Sequence, residues 1–207
     1  MIQVEAARNG KPVLKKNGRL LASSIDPSRE AVAWVDGVCR AAGTHDMIVV
    51  LGLGCGYHVA ELLARRPGSQ VIAIENDPAV AAEALKFCPE LSGATIIVQE
   101  DWKKLIDSQA VRDAIGGIYH IAIHGPTSQL EPEFVQAADA FLRGRDKLSF
   151  LLLLKARPEL VGILDPEAIA KLGPDPVSIK TVSQLFGPHA AGTRERRLWR
   201  VLEELVL

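Results

Sequence analysis

Ile48-Val49-Val50-Leu51-Gly52-Leu53-Gly54-Cys55-Gly56-Tyr57-His58, followed by Val71-Ile72-Ala73-Ile74-Glu75-Asn76-Asp77, decides the fold. The first run is apolar and ends in three alternating glycines. Residues 57–66 then show helical spacing, and the second apolar run stops at an acid. A strand buried in a parallel sheet is apolar on both faces, as 47–51 is. Glycines let the chain turn sharply and let a ligand touch backbone. The helix start after Gly56 offers unpaired N–H groups. Glu75 lies 23 residues after Gly52, at a strand end where a carboxylate can take both hydroxyls of a ribose. Strand, glycine turn, helix, strand and acid together make the first half of a nucleotide-binding α/β unit.

Further strands are expected at about 94–99, 118–124 and 148–155, with helices at about 78–87, 102–114 and 131–143. This alternation predicts a parallel sheet covered on both faces. The expected fold is a three-layer, doubly wound, Rossmann-like (methyltransferase-like) α/β sheet with a small N-terminal β-hairpin. The hairpin is read from Asn17-Gly18 between apolar-containing runs, over about 12–23, because Asn-Gly fits a tight two-residue turn. A two-stranded hairpin is not stable alone, so it must pack on the main domain or on a second subunit. Pro27 or Ser28 opens the next helix with Asp26 as cap. Ala31, Val32, Val35, Val38, Cys39 and Ala42 form its apolar face, and Gly43 closes it. Two parts are expected: a hairpin extension over 1–26 and a Rossmann-like domain of S-adenosylmethionine-binding type over 27–207. Beyond Pro158 the pattern loosens, 177–182 fits either a strand or a helix start, and an amphipathic helix is expected over 197–207.

The composition is that of an ordinary globule, 48% hydrophobic and 24% charged over 207 residues. A net charge of −1 gives no field for nucleic acid or an anionic membrane. No apolar stretch reaches spanning length, and there is no signal-peptide core. The three cysteines, Cys39, Cys55 and Cys88, match neither a disulfide framework nor a metal pattern, so no metal is expected and the cytoplasm is the expected location. Cys55 reads either as a nucleophile or as a small buried filler.

Ligands of open α/β sheets sit outside the carboxyl ends of the strands. Those ends present Gly52, Gly54, Gly56, Tyr57 and His58, then Glu75, Asn76 and Asp77, then Glu100, Asp101 and Trp102, then His124, and finally Lys155. His124 ends a strand at the ligand edge and titrates near neutrality in its free form, which makes it the candidate general base. His58 reads equally as a ligand contact or as a loop histidine bonded to backbone. Tyr57 reads as packing under the loop, and Lys155 as the point where a buried strand reaches water.

Over about 47–125 this set resembles the cofactor half of class I S-adenosylmethionine-dependent methyltransferases. The resemblance implies S-adenosylmethionine as cofactor. Gly52, Gly54 and Gly56 would lie against its methionine part, Tyr57 and His58 would border the same pocket, and Glu75 would hold the ribose. Asp101 or Glu100 would bond the adenine, with Trp102 packing on it. The acceptor, a small molecule or a protein, is not specified. The chain departs from that family at Gly52, where an acid is usual, and at His58, where a third loop glycine is common. Ile74-Glu75-Asn76-Asp77-Pro78 and the N-terminal β-structure are also similar to spermidine synthases, but those need a carboxylate where His124-Gly125-Pro126 stands.

Over about 1–140 the chain also resembles the bacterial motility accessory factor family, which is related to archaeal 6-hydroxymethyl-dihydropterin diphosphokinase-like proteins. The similarity lies in the hairpin, in Ser23-Ser24-Ile25-Asp26-Pro27-Ser28-Arg29-Glu30-Ala31, and in Gly54-Cys55-Gly56-Tyr57-His58. It implies an accessory module linked to flagellin glycosylation, with the chemistry assigned to another domain. The two resemblances separate on one observation: an enzyme needs room for a nucleoside, whereas a module can have Tyr57 and His58 filling the crevice. A homodimer through the hairpin is a further expectation.

Overall fold

The computed structural model describes residues 2–145, 164–171 and 184–186. The strand expected at 148–155 with Lys155, the segment 177–182 and the C-terminal helix at 197–207 lie outside the described residues. The chain separates into two compact units, Met1–Asp139 and Ala140–Leu207. The N-terminal β-structure belongs to the same unit as the main sheet. In the second unit, Leu164 bridges Phe186 and a short helix spans Pro166–Ala170.

The main sheet contains β4 (Met47–Leu51), β5 (Gln70–Glu75), β6 (Thr95–Val98) and β7 (His120–Ile123), in the order β6-β5-β4-β7 and parallel throughout. The order reverses between β4 and β7, which places the switch point of a doubly wound sheet there. The strands are joined through helices α2 (Tyr57–Arg65), α3 (Pro78–Phe87) and α4 (Gln109–Gly116). Helix α1 (Pro27–Ala42) precedes β4, and α5 (Gly125–Leu130) and α6 (Pro132–Leu142) follow β7. Ile48 and Val50 of β4 share one core with Val35 and Val38 of α1, Val59 and Leu62 of α2, and Ala81 and Ala84 of α3. Their strand neighbours Val49 and Leu51 point to the opposite face and are equally buried. Both faces are therefore covered, as a parallel sheet requires. The fold is the Rossmann-like three-layer α/β architecture.

Local chemistry explains most of the boundaries. The Asp26 carboxylate accepts from the N–H groups of Ser28 and Arg29 and starts α1, and Pro27 supplies no donor where none is needed. The Asp77 carboxylate does the same for α3 through Ala79 and Val80. On the predicted face of α1, Val32 turns out exposed at 38% while Pro27 is buried instead. The helix expected over 102–114 is a 3-10 turn, Trp102–Asp107, followed by α4. The Asp101 side chain caps the turn, and its last turn is closed by a bond from Ser108 N–H to the Leu105 carbonyl. Helix α5 is an addition to the sequence reading.

The N-terminal structure also exceeds the expected hairpin. Strands β2 (Pro12–Lys16) and β3 (Arg19–Leu20) flank Asn17 and Gly18, both with positive φ, 51° and 81°. That is the mirror-image turn that matches strand twist. Strand β1 (Ile2–Ala6) adds antiparallel to β2, making three strands. β1 was missed because four of its five residues are exposed and carry little apolar signal. Among the described residues no helix is long and apolar enough to cross a membrane.

Candidate functional site

The three loop glycines leave β4 with left-handed backbone, φ 96° at Gly52, 50° at Gly54 and 85° at Gly56. All three are also closely packed, Gly56 with 2.8 Å between a would-be Cβ and Leu91 Cδ1. A Cβ on Gly52 would lie 2.5 Å from Thr127 Cβ, and one on Gly54 would lie 2.7 Å from His124 Cε1. The loop is pressed against the residues that follow β7, which is where the switch point falls.

Glu75 secures the loop from the other side. Its Oε2 accepts from Leu53 N–H at 2.9 Å and Gly54 N–H at 3.2 Å, and its Oε1 from Asn76 N–H at 3.1 Å and Asp77 N–H at 3.2 Å. Burial pushes this carboxyl above its ordinary pKa, and the four amides pull against that. Each oxygen is taken by two backbone donors, so the acid expected to hold a ribose holds its own loop here. The neighbouring Asn76 Oδ1 is buried and lacks a hydrogen-bond donor among the described residues.

Aromatic rings fill the switch-point crevice. The imidazoles of His58 and His124 stack with centroids 3.9 Å apart and planes within 3°. Trp34 of α1 meets His58 edge-on at 4.8 Å, and its indole N–H donates to the Ile123 carbonyl at 3.1 Å. His58 Nε2 bonds the Gly52 carbonyl at 3.0 Å, and His124 Nδ1 bonds Thr127 Oγ1 at 2.9 Å. Both histidines are buried, with 4% and 5% exposure. Burial lowers the His58 pKa to about 4 and holds His124 well below the usual imidazole value, with His58 adding to the effect on His124. Both rings are therefore neutral at pH 7, and His124 is a weaker base than a free imidazole. The cavity left beside them, lined by Leu21, Glu30, Trp34, Tyr57, His58 and His124 among others, measures about 40 Å³. That holds a water or two, against the several hundred Å³ of an ordinary ligand pocket.

The N-terminal sheet covers the edge above this loop. Val13, Leu14 and Leu21 are buried in one cluster with Cys55 of the loop and Val80 of α3. Leu14 N–H donates to Cys55 Sγ at 3.2 Å, and the Tyr57 hydroxyl donates to the Pro12 carbonyl at 2.8 Å. Lys16 Nζ lies 2.8 Å from Asp77 Oδ2 and 2.7 Å from Glu131 Oε1, joining β2 to the starts of α3 and α6. The sheet thus packs on the main domain of its own chain. Cys55 is a buried filler whose pKa burial raises to about 12, which removes it as a nucleophile at neutral pH. Burial likewise raises Tyr57 to about 12.

The structure therefore gathers Gly52, Gly54, Gly56, Tyr57, His58, Glu75 and His124 around one loop. Asp101 and Trp102 stand at the end of β6, two strands from β4 and so roughly 10 Å away along the sheet. Asp101 is exposed, and Trp102 is half-buried with the Lys103 ammonium 5.9 Å from its ring centroid. Sequence reasoning missed Trp34, Thr127 and the hairpin leucines. A lone tryptophan beside the apolar face of α1 was the available signal for the first. No local signal marked Thr127.

No protein-family model matches this sequence, and no curated protein matches it. Among solved structures, a spermidine synthase in complex with the transition-state analogue AdoDATO is similar with a TM-score of 0.49 and 16% identity, over 76% of this chain. The chain spans 59% of that protein's length. The strand order and the glycine loop at its switch point define the class, an α/β protein of Rossmann-like fold.

Proposed function

We propose that this chain is an accessory module of the motility accessory factor type, without methyl-transfer chemistry of its own. The observation that carries this reading is the filled crevice. Leu14 and Leu21 stand over the glycine loop, and the His58–His124 stack leaves about 40 Å³ beside it. Both Glu75 oxygens are engaged by backbone amides in this arrangement, so the ribose acceptor that the methyltransferase resemblance implies is already taken. The module would act through its surface, next to a catalytic domain in the same or another chain.

A second reading, nucleoside binding of the methyltransferase type, is supported by Asn76 Oδ1, a buried acceptor beside Glu75 that a ribose hydroxyl or an adenine amine would satisfy. In it Gly52, Gly54, Gly56 and Glu75 would bind the cofactor, Asp101 and Trp102 would take adenine, and His124 would accept a proton. Aminopropyl transfer ranks lower, since His124 stands where the amine-accepting carboxylate belongs.

Calorimetric titration with S-adenosylmethionine and S-adenosylhomocysteine separates the readings. The accessory reading expects no heat of binding up to millimolar ligand. Micromolar binding that disappears in Glu75→Ala would replace it with the second.

A further inference from the structure

The stacked histidines hold the loop from two directions. His58 ties α2 to the Gly52 carbonyl, and His124 seats Gly54 through its Cε1 edge. We propose that protonation of the His58–His124 pair releases the glycine loop, so that mild acid opens the carboxyl edge of the sheet while the sheet itself stays folded.

The geometry supplies the coupling. Two rings 3.9 Å apart and parallel within 3° cannot both carry charge without strong repulsion. Each ring uses one nitrogen, His58 Nε2 on Gly52 and His124 Nδ1 on Thr127. Both rings border the small cavity, and a proton added to either puts charge on a site that burial holds neutral. The charged and titratable groups around the pair are few. From α1 comes Glu30, whose carboxylate already accepts from Ser23 N–H. The loop and α2 bring Cys55 and Tyr57, both shifted upward and so neutral in acid. From β5, Glu75 reaches the loop amides. Helix α5 presents Thr127 and Pro126, and the hairpin side presents Leu21 and Ala22, none of them charged.

The sign follows from burial. An imidazole whose pKa is about 4 in the folded loop and about 6.5 when released stabilises the closed loop above pH 6.5, and loses that contribution as pH falls toward 4. The opening is local, because β4 and β5 are held by their own sheet bonds and by the apolar core around Ile48, Val50, Val71 and Ala73. The device works whether or not the crevice takes a ligand.

Hydrogen exchange read by mass spectrometry tests it on the wild-type chain. Between pH ~6.5 and ~4, corrected for intrinsic rates, amide protection over 52–59 should fall at least ~10-fold while 71–74 stays protected. His124→Phe keeps a ring in the stack without the proton and should move the loss about one pH unit lower. Constant protection to pH ~4, or joint loss with β4 and β5, overturns the proposal. So does an unshifted midpoint in His124→Phe, which would assign the step to Glu75. If that variant does not fold, the C2 proton shifts of the two rings decide. Titration in step with loop opening supports the proposal, and titration only on global unfolding overturns it.

Discussion

The backbone N–H of Leu14 donates to the sulfur of Cys55, 3.2 Å away and 41 residues later in the chain. A buried thiol is here the acceptor for the middle strand of the N-terminal sheet, so its chemistry is structural. Cys55→Ala should cost about 2–3 kcal/mol, since it leaves a buried donor without an acceptor and opens a small void. Cys55→Ser keeps an acceptor and should cost less. Urea denaturation of the two variants checks the order, and the native protein should leave Cys55 unmodified by a thiol reagent that labels the unfolded chain.

Glu75 offers a sharper contrast. In Glu75→Gln one acceptor oxygen becomes an NH₂ group facing two backbone N–H donors, at either Leu53 and Gly54 or Asn76 and Asp77. The expected loss is about 3 kcal/mol by denaturant unfolding, with faster proteolysis inside 52–58. A variant as stable as wild type would mean the carboxylate is not what holds the loop.

Lys16 bridges two acids with its side chain only 13% exposed. Burial would lower its pKa, but Asp77 and Glu131 outweigh that and raise it. Asp77 is pushed up by burial but pulled down further by Lys16 and by the amides of Ala79 and Val80, ending below its ordinary 3.8. Its contribution is therefore present above pH 3.8 and is lost as pH falls through its lower folded value. Lys16→Met should cost about 1–3 kcal/mol at neutral pH and flatten the stability profile below pH ~4. Thermal unfolding across that range measures both.

The strands and helices from 47 to 98 were legible because burial on both faces writes a continuous apolar run, and Pro and Asp mark the helix starts. The turn at Asn17-Gly18 was legible from its backbone requirement. β1 was not, since an exposed edge strand needs no pattern. The site was half legible. Glycines and the acid announce a loop and its anchor, but what the anchor touches depends on packing. Nothing near Thr127 or Trp34 in sequence says that both converge on residues 52–58, since that contact spans separate elements.

Gly10 and Gly52 share a left-handed backbone, φ 84° and 96°, but differ in surroundings. A Cβ at Gly10 meets open space within 4 Å, and one at Gly52 meets Thr127 at 2.5 Å. Gly10→Ala should cost about 1 kcal/mol from backbone strain alone. Gly52→Ala should cost at least about 2 kcal/mol more, the excess being steric. Equal losses in denaturant melts would remove the close packing of the loop on α5.

Trp34 sits edge-on to His58 with its indole N–H fixed on the Ile123 carbonyl. In spectroscopic terms the protein carries its own reporter. An imidazolium quenches indole emission far more than a neutral imidazole, and release from the carbonyl moves the emission to longer wavelength. The state of the crevice can thus be followed by light without any label, once Trp102 and Trp199 are replaced by phenylalanine.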